Sequence, residues 1–89
     1  MKSVVIDGAE ITSREQAHNI LKQAFGFPDD YAANLDALWD ELSASKDTII
    51  RVNNCQQLYA NLGGYGYTLL DLIGEVSAEN DTVRLFIFD

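Results

Sequence analysis

Cysteine, proline, histidine and positive charge are all scarce in this chain of 89 residues: one Cys, one Pro, one His, and 6 Lys+Arg against 14 Asp+Glu. A single thiol, Cys55, excludes an internal disulfide. Small secreted domains usually depend on such bridges, so a reducing cytoplasm is the expected setting. No Pro- or Ser-rich linker, repeat or low-complexity stretch divides the chain, and one domain over residues 1–89 is expected. Long apolar runs are missing as well. The opening Val4-Val5-Ile6 stops at Asp7-Gly8, too short for a signal-peptide core or a spanning helix, so no membrane association is expected. The formal net charge of −8 says little about fold. It does argue against nucleic acid, whose phosphates are bound by clustered Lys and Arg that release counterions, and toward a basic partner.

The usual catalytic constellations are absent too, and no enzymatic activity is expected. Gly63-Gly64-Tyr65-Gly66 lacks a following Lys-Ser/Thr and does not come directly off a predicted strand, so it reads as a turn and not a phosphate loop. His18 and Cys55 fall in different predicted helices. His18 reads as a flank of the first helix and Cys55 as a small buried apolar residue. No cofactor or metal is expected either. Asp36 and Asp40 share a helix face, but two side chains fall well short of the roughly six to eight oxygens that Ca²⁺ takes.

What is present is hydrophobic patterning from end to end, with 47% apolar residues. Three β-branched runs, Ser3 to Ile6, Thr48 to Val52 and Thr82 to Phe88, have strand length. Two helical patterns separate the first pair of runs and two more separate the second. Helical crossovers imply parallel strands, and the expected architecture is an α/β fold with a three-stranded parallel sheet and flanking helices. The first helix opens on Ser13-Arg14-Glu15-Gln16, a capping box, and carries Ala17, Ile20, Leu21, Ala24 and Phe25 on one face. Gly26 and Pro28 mark its end. A second helix starts at the N-cap Asn34 with Leu35, Leu38, Trp39 and Leu42 inward. A third is expected from Asn54 to about Leu62. A fourth is expected from about Tyr67 to Ala78, with Leu69, Leu70, Ile73 and Val76 inward.

Acidic residues are arranged on these helices. Asp36 and Asp40, four apart, lie on one exposed face at about 100° per residue, with no base within a turn to relieve their repulsion. Asp71, Glu75 and Glu79 form a second row. From composition alone such rows are most simply solvated, solubilising faces. Trp39, on the apolar face, belongs by default to the core. Tyr31 stands among Asp29, Asp30 and Asn34, and this polar setting marks it as a binding candidate. Tyr59, Tyr65 and Tyr67 read as packing or turn residues.

The segment from Pro28 to Leu42, and above all Asn34-Leu35-Asp36-Ala37-Leu38-Trp39-Asp40, resembles the barstar family of intracellular inhibitors of barnase-type ribonucleases. The likeness extends more weakly over the whole chain, through the Asp7-Gly8 strand end, the His18 helix with Leu21-Lys22, and Glu75 before the closing strand. The resemblance implies a three-stranded parallel sheet with flanking helices, and stoichiometric inhibition in which an acidic helix plugs the basic active site of a small guanyl-specific microbial ribonuclease. By position it implies that Asp40 enters the phosphate site, that Asp36 lies at the guanine-side contacts, and that Glu75 meets a basic residue at the rim. It places Asn34, Trp39 and Ser43 at or beside the interface. The sequence also departs from the family. Asp30 replaces the first of two tyrosines, Ala32-Ala33 replace Gly-Glu, and Ser43-Ala44-Ser45-Lys46 lacks a glycine and a tryptophan. The lost aromatics leave a second reading, a binding module of the same fold directed at another basic partner.

Overall fold

The three β-branched runs are the three strands. The computed structural model describes residues 1–89, with strands β1 (Lys2–Asp7), β2 (Thr48–Asn53) and β3 (Val83–Ile87) and helices α1 (Arg14–Phe25), α2 (Leu35–Ser43), α3 (Cys55–Leu62) and α4 (Gly64–Glu79). The sheet order is β1-β2-β3 and both pairings are parallel, with Val4 opposite Ile50 and Ile50 opposite Leu85. The expected α/β fold is therefore the one observed.

Sequential parallel strands joined by right-handed crossovers return their helices to one side of the sheet. The alternation along each strand records this. Val4, Ile6, Ile50, Val52 and Val83 are buried, whereas Ser3, Val5, Arg51, Arg84 and Phe86 on the other face are exposed. Parallel sheets are usually covered on both faces, so the open face is a distinguishing feature. The covered face is closed by Leu21 and Phe25 of α1, Leu38 and Leu42 of α2, Leu58 of α3, and Leu69, Leu70, Ile73 and Val76 of α4. No helix is long and apolar enough to cross a membrane.

Local chemistry sets most boundaries. Ser13 caps α1, its Oγ accepting from the Gln16 N–H at 3.1 Å. Gln16 reaches back one residue further than a simple capping box and accepts from both the backbone N–H and the hydroxyl of Thr12 at 2.7 Å. Gly26 closes α1 in the left-handed region at φ 72°.

Two boundaries differ from the sequence reading. A 3₁₀ turn at Gly8–Glu10 follows β1, capped by Asp7, whose Oδ1 accepts from the Ala9 N–H and the Asn54 amide. Gly8 is required there because a Cβ would stand 2.4 Å from the Asn54 carbonyl oxygen. The second difference is that α4 begins at Gly64, so of the glycine-rich stretch only Gly63, at φ 59° and ψ −134°, is the turn. Gly66 is helical, and its missing side chain lets α4 pass close to α3: a Cβ would sit 3.1 Å from the Leu58 carbonyl oxygen.

Candidate functional site

Helix α2 is held at its N-terminal entry. Asn34 is extended, and its Oδ1 accepts from the Ala37 N–H at 2.8 Å, meeting one of the orphan donors of a helix start. Ala33 before it occupies the left-handed region at φ 55°, which turns the chain into the helix. Leu38 and Leu42 are fully buried in the common core, and α2 packs against α4. This fixes the outward face, on which Asp36 and Asp40 are both exposed.

Leu35 and Trp39 are only half-buried. They sit on the seam where α2 packs against α4, and with Asp36, Thr68, Asp71 and Glu75 they line a groove of about 400 Å³. Trp39 is thus neither pure core nor free surface; one side of its indole faces a groove rimmed by three carboxylates. At the α1 end of the same seam a second depression of about 560 Å³ joins Asn34 and Asp36 to Arg14, His18 and Tyr65. At the other end Ser43, exposed as the last residue of α2, shares a third with Glu79, Asn80 and Asp81. Asn34, Asp36, Trp39, Glu75 and Ser43 therefore all lie along one seam. Asp40 borders it on the exposed flank of α2, one turn beyond Asp36.

Tyr31 departs from its sequence reading. Its neighbours in the chain are polar, but its ring packs 4.8 Å from that of Phe27 and its hydroxyl lies 2.7 Å from His18 Nδ1. Burial comes first in raising its pKa to about 12, with the Tyr65 and Glu41 charges adding to it. Tyr31 is a half-buried brace beneath the loop that leads into α2.

His18 is correspondingly not a mere helix flank. It is only 2% exposed and bonded on both sides, with Nε2 2.6 Å from the Tyr65 hydroxyl. Burial lowers its pKa, so the ring is held in the neutral form. In that form one ring nitrogen donates to one tyrosine and the other accepts from the second. Tyr65 carries the Arg14 guanidinium 4.4 Å above its ring. It is a tertiary contact, not the simple packing or turn residue its sequence suggests. The network ties together α1, the α2 entry and the first turn of α4.

Cys55 is buried as expected, with its thiol donating to Asp89 Oδ1 at 3.0 Å. That hydrogen bond, followed by burial, pushes the thiol pKa up. No group of three or more His, Cys, Asp or Glu converges in a way that would hold a metal ion.

A half-covered three-stranded parallel sheet that displays one doubly acidic helix beside a second acidic helix defines a small α/β protein with an acidic helical face. Comparison with known proteins defines the class further. The model of the family described as "Barstar (barnase inhibitor)" matches residues 1–89. A protein of Bacillus subtilis (strain 168) named "Putative ribonuclease inhibitor YrdF" is 36% identical over 90 residues, covering 98% of this chain and 99% of that one. The chain belongs to the barstar family.

Proposed function

We infer that this protein inhibits a ribonuclease stoichiometrically, by presenting α2 to the basic active site of a small barnase-like, guanyl-specific enzyme. The observation that carries this reading is the exposure of Asp36 and Asp40 on a helix whose opposite face is locked into the core. A ribonuclease must gather cationic groups around the phosphate it cleaves and the charge of the transition state. A carboxylate entering that site replaces the phosphate with charge-assisted hydrogen bonds. Asp40 takes this role, Asp36 the neighbouring contacts, and Glu75 a basic residue at the rim, with Asn34, Trp39 and Ser43 along the same seam. The mutual repulsion of Asp36 and Asp40, unfavourable in the free helix, is relieved when the partner's cations arrive. Long-range attraction between a chain of charge −8 and a basic enzyme also speeds encounter, a rule drawn in part from the barnase–barstar pair itself.

Tyr31 contributes to binding by bracing the α2 entry, with whatever edge of its ring stays exposed. The tyrosine replaced by Asp30 and the tryptophan missing from Ser43-Ala44-Ser45-Lys46 leave less apolar contact area, so charge carries a larger share of the recognition.

The test is titration of the purified protein into a barnase-type ribonuclease assay at low and physiological salt, beside Asp40→Ala. The expected result is stoichiometric inhibition that weakens with salt, with the variant weaker by about 2 kcal/mol or more, as for a buried charged anchor. Inhibition unchanged in Asp40→Ala refutes the role of that residue. No inhibition of any guanyl-specific ribonuclease, together with recovery of a different basic protein, moves the assignment to a binding module of the same fold.

A further inference from the structure

Strand β3 is an edge of the sheet, and its free side is unusually apolar. Phe86, Ile87 and Phe88 are 47%, 45% and 44% exposed, three consecutive residues among the six large hydrophobics on the surface. Natural edge strands are normally shielded by charge, proline or a covering segment. The hydrogen bonds show which backbone groups are left over. Thr48 N–H donates to the Thr82 carbonyl and Phe88 N–H to the Val52 carbonyl, so the even-numbered residues of β3 face β2. Leu85 and Ile87 point their N–H and C=O groups away from the sheet, with no strand beyond them.

We propose that this edge pairs antiparallel with the same edge of a second copy of the chain, with Phe86 opposite itself on the two-fold axis. In that register Leu85 of each copy faces Ile87 of the other. Both residues have outward-pointing backbone groups, so each such pair exchanges two hydrogen bonds and the four free backbone groups of each copy are all met. Phe86 falls at a pair without hydrogen bonds, where strands approach most closely and aromatic side chains pack best.

The side chains are complementary on the open face and leave space on the helix face. On the open face Arg84 of one copy falls opposite Phe88 of the other. Within one chain Arg51 lies 5.1 Å from the centre of the Phe88 ring, the kind of guanidinium contact that Arg84 of the partner would add to the part of the ring still exposed. Asp89, next to Phe88, meets the end of the partner strand that carries Arg84. No like charges are opposed along the strand. On the helix face a groove of about 400 Å³ runs between β3 and α4, floored by Leu85 and Ile87 and walled by Gly74 and Ala78, with the carboxylates of Asp71 and Glu75 and the ring of Tyr59 also lining it. The small residues Gly74 and Ala78 leave room for the partner's Ile87. The result is a six-stranded sheet with an isologous interface that closes on itself and does not propagate. It lies away from the exposed flank carrying Asp40, shares Glu75 with the groove between α2 and α4, and does not depend on the ribonuclease reading.

Sedimentation equilibrium of the wild-type chain up to millimolar concentration tests the proposal. A monomer–dimer equilibrium is expected, and it tightens as salt is added, because each copy carries a charge of −8 and screening removes their repulsion. Phe86→Glu and Phe86→Lys each place like charges face to face and are expected to weaken the dimer about tenfold or more. Mixing the two restores it, as expected where residue 86 of one copy meets residue 86 of the other, and restoration also shows both variants folded. Ile87→Pro removes one outward donor without touching a bond to β2 and abolishes dimerisation with the circular dichroism unchanged. A wild-type chain that stays monomeric at every concentration and salt overturns the proposal. So does a dimer that Phe86→Glu leaves intact, or one that salt dissolves.

Discussion

His18 Nδ1 lies 2.7 Å from the Tyr31 hydroxyl, a bond that joins the middle of α1 to the loop entering the acidic helix. Its second nitrogen is equally occupied by Tyr65. A residue that is silent in the chemistry of the site thereby holds the site's position.

His18→Ala is expected to cost about 2–4 kcal/mol, from the cavity left behind and two tyrosine hydroxyls deprived of their partner. Urea unfolding measures it. If the network positions α2, the variant also loses inhibition at temperatures where it remains folded.

The same histidine makes stability depend on pH. Its folded pKa lies below the ordinary value of 6.5 because the ring is buried. The unfolded chain therefore binds the proton more readily, and protonation favours unfolding. The contribution is complete above the unfolded pKa and declines as pH falls from there toward the folded pKa. Urea midpoints recorded downward from pH 8 should decline below about pH 6.5 in the wild type, and less steeply in His18→Gln. Asp7, its carboxyl lowered by the Asn54 amide and the Ala9 N–H, adds a further decline only near and below 3.8.

Ala33 at φ 55° has only a methyl group and no polar side chain to support a left-handed backbone, unlike Asp47 and Asn54, which occupy the same region. The conformation costs an alanine about 1–2 kcal/mol, part of which glycine recovers. Ala33→Gly is expected to stabilise the chain by about 0.5–1 kcal/mol, read as a higher urea midpoint.

Glycine to alanine at two other sites gives opposite results. Gly8→Ala drives a methyl to 2.4 Å from the Asn54 carbonyl and 2.9 Å from Leu58 Cβ, and a loss of about 3 kcal/mol is expected. Gly64→Ala, in the first turn of α4 with nothing within 4 Å of its Cβ position, is neutral or stabilising by about 0.5 kcal/mol. Thermal unfolding of the pair separates close approach from helix propensity.

Within α2, stability and recognition are separable. Asn34→Ala loses the cap bond to Ala37 and about 1 kcal/mol. Asp36→Asn gives up a favourable charge at the helix start but relieves Asp40, two effects of a few tenths of a kcal/mol that nearly cancel. Calorimetry should therefore find Asp36→Asn as stable as wild type while the ribonuclease assay finds it weaker.

The elements were legible because their signals are local. The β-branched runs Val4-Val5-Ile6 and Ile49-Ile50-Arg51-Val52, the Ser13 and Asn34 caps, and the three- and four-residue spacing in α4 each lie within one stretch of chain. The start of α4 was hidden because Gly64 and Gly66 read as turn residues. Only the nearness of Leu58, brought in by α3, explains why glycine stands inside a helix there. The acidic faces of α2 and α4 could be read separately, but not that they flank one groove. His18, Tyr31 and Tyr65 were misread for the same reason. Their partners are 13 and 47 residues apart in sequence, and the polar neighbours of Tyr31 concealed a ring that turns inward.

The bracing of α2 has a consequence for when order is acquired. The Asn34 cap, the Ala33 turn and the His18 network fix the acidic helix before any partner is present. The conformational entropy of that segment is therefore lost once, as the chain folds, and not again at each encounter. A surface prepared in this way docks with little rearrangement of its backbone. Loosening any of the three braces would convert a lock already cut into one that must be shaped around its key.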